Sequence, residues 1–499
     1  MELILVVDIG TSSIKAGVVN EKGKILSSGE RELEIERPEK GAAEHNPHTL
    51  YNVFLEISRQ VLRGFEDKIS VLTLSAYQNG LLPVDNEMEP LMGMMTLMDT
   101  RPQEIFEKLR KKYNIDKLYQ NTGCPPLFIY PLIKMLWLRE KKKKIFEKVR
   151  FFLGSKDYII YRLLGEPFTE PSIASSTQLF NIHSLQWDDM ASQIAEVDKN
   201  KLPPVVPGEK ILTKLPPQAR ASLGLINEVY LLPGVYDGGG IALGIGIGGR
   251  GDGLGVVNLG TTAMLRSASS KVILDKSGEM RFQTYYLCSG KWLPGAAINN
   301  AGIVLRWFRD NILSSDYTSL VSLAEDVKAG SDGLFFLPFL TGERDPRIGN
   351  FSSGVLFGLE EYHTRNHLLR AFLEGVAYAL CVIKRALVDN DIKINDIRMG
   401  GGGARSDCWA QIFADILGLP IRRISESGHA SLIGEALLTY VALGKYRSLE
   451  EATEKMVKLG PPVNPLPRNM EIYQTGFTFF SLLLERMEDM YRQHHRLFV

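Results

Sequence analysis

Cysteine is scarce in this chain. Four occur in 499 residues, Cys124, Cys288, Cys381 and Cys408, with no CxxC pair and no histidine at a metal-ligand spacing. That excludes a disulfide-held scaffold and a structural zinc site, and it fits a reducing cytoplasm. Excess charge of either sign is also lacking: 58 Lys plus Arg face 58 Asp plus Glu, and no basic stripe runs along the sequence. Electrostatic capture of nucleic acid is therefore not expected. No uncharged apolar stretch reaches the ~18 residues needed to span a bilayer. Met1 to Asp8 sets an acid at each end of a five-residue apolar run, with neither a basic start nor a cleavage pattern. A membrane anchor or leader is not expected, and the cytoplasm is the expected location. A GxxxxGK[ST] loop is missing as well, which rules out a P-loop nucleotide site.

What is present is an ordinary globular composition, 44% apolar, 23% charged and 9% aromatic. The length is about three times the usual ~150-residue domain, so more than one domain is expected. A weak internal echo gives the organisation. Leu5-Val-Val-Asp8-Ile-Gly10-Thr11-Ser12 returns 250 residues later as Gly255-Val-Val-Asn258-Leu-Gly260-Thr261-Thr262. In each copy a run rich in β-branched residues enters a Gly-Thr turn, and a second apolar strand follows, Ile14 to Val19 or Ala263 to Leu265. Each half is expected to begin with the same hairpin. Between the halves, Gly234 to Gly255 holds 11 glycines in 22 residues, which predicts either a flexible joint or a close backbone approach.

Helices alternate with short β-rich runs such as Val71 to Ser75, Val229 to Leu232 and Gly333 to Pro338, so mixed α/β domains are expected. Gln283 to Trp292 reads as a hairpin turning at Ser289-Gly290. One helix is well marked: Ser406 is an N-cap, Trp409, Ile412, Phe413, Ile416 and Leu417 form an apolar face, and Gly418 and Pro420 stop it. It comes after Gly400 to Gly403, and a glycine loop before a helix N-terminus is a natural nucleotide seat. Gly244-Ile-Gly246-Ile-Gly-Gly249 also matches GxGxxG, but no acid lies about 20 residues downstream to hold a ribose.

Two Gly-Thr turns offer another way to hold a triphosphate, with amides and hydroxyls closing on it from both sides. Asp8, at the end of the first strand, is then placed to hold Mg2+ through water, the alternative being a turn-forming residue. Asp237, in Leu231-Leu-Pro-Gly-Val-Tyr-Asp237-Gly-Gly-Gly240, is a candidate general base with small neighbours that leave room for a substrate. Asp before Gly is also a common turn signal.

Taken together these residues resemble the FGGY carbohydrate kinases. The resemblance covers nearly the whole chain, in order: Asp8 to Ser12 with Lys15, Gly41-Ala-Ala-Glu44-His-Asn-Pro47, Ser75-Ala-Tyr-Gln78-Asn79-Gly80 and Asp99-Thr-Arg101. It continues through Pro131 to Trp137, Lys156-Asp157-Tyr158, Ala174 to Thr177, Asp237-Gly, Gly260-Thr261 and Pro338 to Arg344. It ends with Gly354 to Leu359, Glu374 to Tyr378 and Gly401 to Ser406 with Gln411-Ile412.

The resemblance implies an α/β fold of two actin-like ATPase (ribonuclease H-like) domains related by internal duplication, with the active-site cleft between them. The first domain, residues 1–244, would carry the sugar site and first phosphate turn, and the second, residues 245–499, the second phosphate turn and adenosine site. It implies ATP and Mg2+ as cofactors, Asp237 as catalytic base, and Asp8 as the Mg2+ group. Asp8, Gly10, Thr11, Ser12 and Lys15 match the first phosphate element and Gly260, Thr261 and Thr262 the second. Gly302, Arg306, Gly402, Gly403 and Asp407 fall at nucleotide positions, and Gln78, Asn79, Asp99 and Asp237 at sugar positions. Departures at Asn79, at Leu97 (usually Trp) and at Glu170 (usually Asp) bear on the substrate. The block Ile298 to Asp310 looks most like gluconate kinases, so a sugar-acid substrate is expected, with a pentulose or another polyol as the alternative. An actin-like ATPase switch is the non-enzyme alternative. A small-molecule partner is expected, no nucleic acid and no membrane, and a homodimer stays open.

Overall fold

The computed structural model describes residues 2–249, 253–313, 323–425 and 427–498. The first half builds a sheet from β1 (Leu3–Ile9), β2 (Ser13–Asn20), β3 (Ile25–Glu32), β4 (Ile69–Ala76), β5 (Thr213–Lys214) and β6 (Tyr230–Leu232), in the order β5-β6-β4-β1-β2-β3. The second builds one from β7 (Leu254–Leu259), β8 (Ala263–Ser267), β9 (Gln283–Cys288), β10 (Lys291–Ile298), β11 (Asp396–Gly400), β12 (Ile421–Ile424) and β13 (Leu459–Val463), in the order β9-β10-β8-β7-β11-β12-β13.

The two sheets match strand for strand. From β3 the pairings run antiparallel to β2, antiparallel to β1, parallel to β4, parallel to β6 and antiparallel to β5. From β10 they run antiparallel to β8, antiparallel to β7, parallel to β11, parallel to β12 and antiparallel to β13. The sequence echo is thus a duplicated topology, and β9 is an added edge strand. All seven residues of β1 are buried, as a central strand covered on both faces requires. The expected hairpins form, and the β9–β10 turn uses Ser289 and Gly290 at positive φ.

The helices that bear on the site are α1 (Pro131–Lys141), α2 (Ser155–Leu164), α3 (Asp237–Ile245), α4 (Gly302–Phe308), α5 (Asp407–Leu417) and α6 (Ala430–Ala442). Helix α5 carries the predicted Ser406 cap, which accepts a 3.0 Å bond from the Trp409 amide, and ends at Gly418. Helices α3 and α6 each reach the sheet of the other half: α3 packs on β7 and β11 and also on β4, while α6 packs on β1, β2 and β4.

They cross at glycine. A Cβ on Gly244 would stand 1.8 Å from the Ala430 carbonyl oxygen, and one on Gly434 1.8 Å from that of Gly240. Of the two readings of the glycine-rich segment, close backbone approach holds for 237–245; residues 250–252 lie outside the described residues. The GxGxxG match is likewise the end of α3 and its turn, where Arg398 Nη1 donates to the Gly246 carbonyl at 2.8 Å. Among the described residues no helix is long and apolar enough to cross a membrane.

Candidate active site

Strands β1, β4 and β6 are parallel neighbours, so their carboxyl ends share one edge, where open α/β sheets bind ligands. At that edge each strand runs into residues of the predicted chemistry. After β1 come Gly10, Thr11 and Ser12; after β4, Tyr77, Gln78 and Asn79; beyond β6, Asp237, with Tyr236 bridged to Ala76. In the second sheet β7 and β11 are parallel neighbours too, and they lead into Gly260 to Thr262 and Gly401 to Gly403.

Asp237 is the first residue of α3 and is partly exposed, with its own Oδ1 accepting the Gly238 amide at 2.7 Å. Burial of its charge, and then the nearby carboxylate of Asp8, push its pKa up to about 7, while the Gly238 amide, Arg344 and Arg266 pull the other way. A carboxylate poised near neutrality suits proton acceptance. Asp8 is itself raised by burial, partly offset by Ser431, Lys15, Ser75 and Lys156. Lys15 lies directly across the β1–β2 ladder from it.

Asp8 Oδ1 is buried and has no hydrogen-bond partner, as expected of an atom built to face a ligand shell. Among the described residues no group of three or more His, Cys, Asp or Glu could hold a metal ion. A Mg2+ ion here would rest on one carboxylate, water and phosphate oxygens, the usual mode for that ion.

The second turn is seated on the start of α4. Gly302 donates to the Gly260 carbonyl at 2.9 Å, and Ala301 and Ile303 to that of Thr261 at 3.2 Å each. A Cβ at Gly302 would stand 2.6 Å from the Gly260 oxygen, so this approach requires glycine. Gly401 has φ 89 and sits against the Leu259 backbone, whereas Gly402 opens onto free space. Thr261, Thr262, Arg306, Gly402 and Asp407 are exposed, and Asp407 is paired with Arg423 at 2.6 Å. These groups fit a nucleotide approached by main-chain amides.

On the sugar side, Gln78 Nε2 and Asn79 Oδ1 are a buried donor and a buried acceptor without partners. Asn79 holds φ 64, and Lys134 of α1, fully buried, donates to its carbonyl and to that of Thr96 at 2.7 Å. Burial pulls the Lys134 ammonium down to about 7. Asp99 departs from expectation. It is fully buried, and Arg101 binds it through Nε at 3.0 Å and through Nη2, while the Ala43 amide donates at 3.3 Å. Arg101 also pairs with Glu44 and lies 4.6 Å from the Trp137 ring. With its oxygens so occupied, Asp99 is part of an interior ion network and offers no free carboxylate to a sugar.

The sequence did not reveal what aims Asp237. Val235 and Tyr236, just before it, are held on three sides: Lys156 Nζ donates to the Val235 carbonyl at 2.8 Å, the Val235 amide donates to Glu435 at 3.0 Å, and the Tyr236 amide donates to Ser172 Oγ at 2.8 Å. Lys156 is paired with Glu170 at 2.9 Å, both buried, and Glu170 also accepts from Ser172. So the Glu at 170 keeps an anchoring role. Glu435 had a readable signal: Ser431, Glu435 and Thr439 form a polar line at i, i+4 and i+8 on the otherwise apolar α6.

Residues 3–244 match the N-terminal domain, and residues 255–443 the C-terminal domain, of the FGGY family of carbohydrate kinases. A gluconokinase of Bacillus subtilis (strain 168) is 30% identical over 503 residues, spanning 98% of this chain and 97% of its own. A ligand-bound xylulose kinase and a gluconate kinase, both of Lactobacillus acidophilus, superpose with TM-scores of 0.94 and 0.93. Each is 25% identical and covers 99% of this chain and 100% of its own.

Proposed function

Because the chain belongs to the FGGY family of carbohydrate kinases, and so phosphorylates a sugar with ATP, we propose that its acceptor is a sugar acid, D-gluconate, converted to 6-phosphogluconate. Asp237 takes the proton of the attacking hydroxyl as that oxygen bonds the γ-phosphorus and the bond to the departing ADP oxygen breaks. Thr11 and Ser12 from one side, and Thr261 and Thr262 from the other, donate amides and hydroxyls to phosphate oxygens. Gly302, Gly402 and Gly403 let the main chain approach the nucleotide. Mg2+, when held through water by Asp8, supplies positive charge at the phosphates.

The observation that favours a sugar acid is the pairing of Arg344, the end of a motif shared across the family, with Asn299 of the block that looks most like gluconate kinases. The Arg344 guanidinium acts electrostatically on Asp237, its Nε is bonded to Asn299 Oδ1 at 2.7 Å, and its other side-chain nitrogens have no partner among the described residues. Such a cation can pair with a carboxylate on the acceptor through charge-assisted hydrogen bonds. In a panel of gluconate, other aldonates, xylulose, ribulose and glycerol, gluconate is expected to give the highest kcat/KM. Arg344→Met is expected to raise KM for gluconate roughly 10- to 100-fold, the loss of one charge-assisted hydrogen bond, and to affect a neutral polyol less. Higher kcat/KM with xylulose would remove the sugar-acid assignment and leave the kinase standing.

A further inference from the structure

Glu44 and His45 sit in a motif to which the reaction above assigns no role. His45 is fully buried, in a two-residue strand paired with Met94–Met95, and the next residue, Asn46, caps the helix Pro47–Leu62 by accepting from the His48 and Thr49 amides. Its backbone is therefore fixed on both sides. Its ring nitrogens reach two different parts of the site: Nε2 is 2.9 Å from the carbonyl oxygen of Thr11, in the first phosphate turn, and Nδ1 is 2.9 Å from the hydroxyl of Tyr77, which opens the sugar loop.

A carbonyl only accepts, so Nε2 carries the proton and Nδ1 is left as an acceptor for the one proton of the Tyr77 hydroxyl, whose oxygen also lies 2.9 Å from Met94 Sδ, a much weaker acceptor than the imidazole nitrogen. Burial pulls the imidazole down to about 4, so this neutral tautomer holds at ordinary pH. Tyr77 is pinned as well: its amide donates to the Ile9 carbonyl at 2.8 Å, and its carbonyl accepts from Ser155 Oγ at 3.3 Å. Gln78 and Asn79, with the orphaned donor and acceptor, come directly after it.

We propose that His45 is a positioning residue that ties the first phosphate turn to the sugar loop, so that a sugar seated at Gln78 and Asn79 sets the Thr11 turn for the triphosphate. This rests on the sugar-kinase reading. A ring that merely filled space would not need two polar contacts, and a buried imidazole without them would be costly. The chain Thr11 carbonyl, His45, Tyr77 hydroxyl is a rigid path of two hydrogen bonds between the sites.

The test is the affinity of a nonhydrolysable ATP analogue with and without the best acceptor of the panel. The wild-type protein is expected to bind the analogue at least about fivefold more tightly with the sugar, the lower end of ordinary coupling between sites. In His45→Phe, and in Tyr77→Phe, which removes one oxygen and preserves the ring, that ratio is expected to fall toward one while affinity without sugar stays within about twofold. The double variant is expected to lose no more than either single one, because both break one path. A wild-type ratio of one, a ratio unchanged in Tyr77→Phe, or additive losses would each overturn the link. Failure to phosphorylate any acceptor would defeat the kinase reading and take this proposal with it, whereas normal phosphorylation with unchanged coupling would sink only the role of His45.

Discussion

Asp237→Asn is expected to lower turnover roughly 10²- to 10⁴-fold, the range for loss of a positioned general base, while an ATP analogue still binds. The substitution preserves shape and removes proton acceptance. Because burial and the Asp8 charge hold the Asp237 carboxyl at about 7, a sharper signature lies in the pH profile. The base works only when deprotonated. In the wild-type protein kcat/KM for the sugar should therefore rise with pH and level off above about 7, and the residual activity of Asp237→Asn should lack that limb. Asp8→Asn removes the like charge that raises Asp237, so the limb should move to lower pH in whatever activity remains. Steady-state rates from pH 5.5 to 9 would decide it. Near-normal turnover in Asp237→Asn, or a limb that survives the substitution, would take the base role away from Asp237.

The placement of Asp237 at the sheet edge was legible because its signal is local: an acid after a strand, beside three glycines. The same holds for both hairpins, for the cap at Ser406 and for the glycine turn before it, each defined within about ten residues of sequence. The duplicated sheets were legible through one eight-residue echo. Asp99 misled for the opposite reason. Its surroundings are Arg101, the Ala43 amide and Glu44, and only the folded chain brings 43 and 44 to 99, so no spacing could show that its oxygens are already taken. The anchors of Asp237 lie at 156, 170, 172 and 435, from three separate segments. The glycine-rich stretch offered two meanings, and the close approach at 237–245 is made by a helix 190 residues further on.

That helix crossing carries the other large expected effect. Gly434→Ala places a methyl 1.8 Å from the Gly240 carbonyl oxygen and 2.8 Å from the Gly244 nitrogen, both backbone atoms of α3 that no side-chain rotation can clear. Helix propensity favours alanine by about 1 kcal/mol, so a stabilising result would be expected if packing were loose. Packing should win here, because the two helices would have to separate along their whole contact, and overpacking of a tight core costs about 1–3 kcal/mol or more. The first unfolding transition in urea should move to clearly lower denaturant, whereas Gly402→Ala, where nothing stands within 4 Å, should leave it in place. Activity should fall with Gly434→Ala beyond what the lost stability explains at assay temperature, since α3 begins with Asp237 and α6 carries Glu435, which holds the Val235 amide. Each helix also packs on the sheet of the other half, so this crossing joins the two sheets. Full stability and full turnover in Gly434→Ala would show that the crossing tolerates a side chain and that Asp237 is aimed by something else.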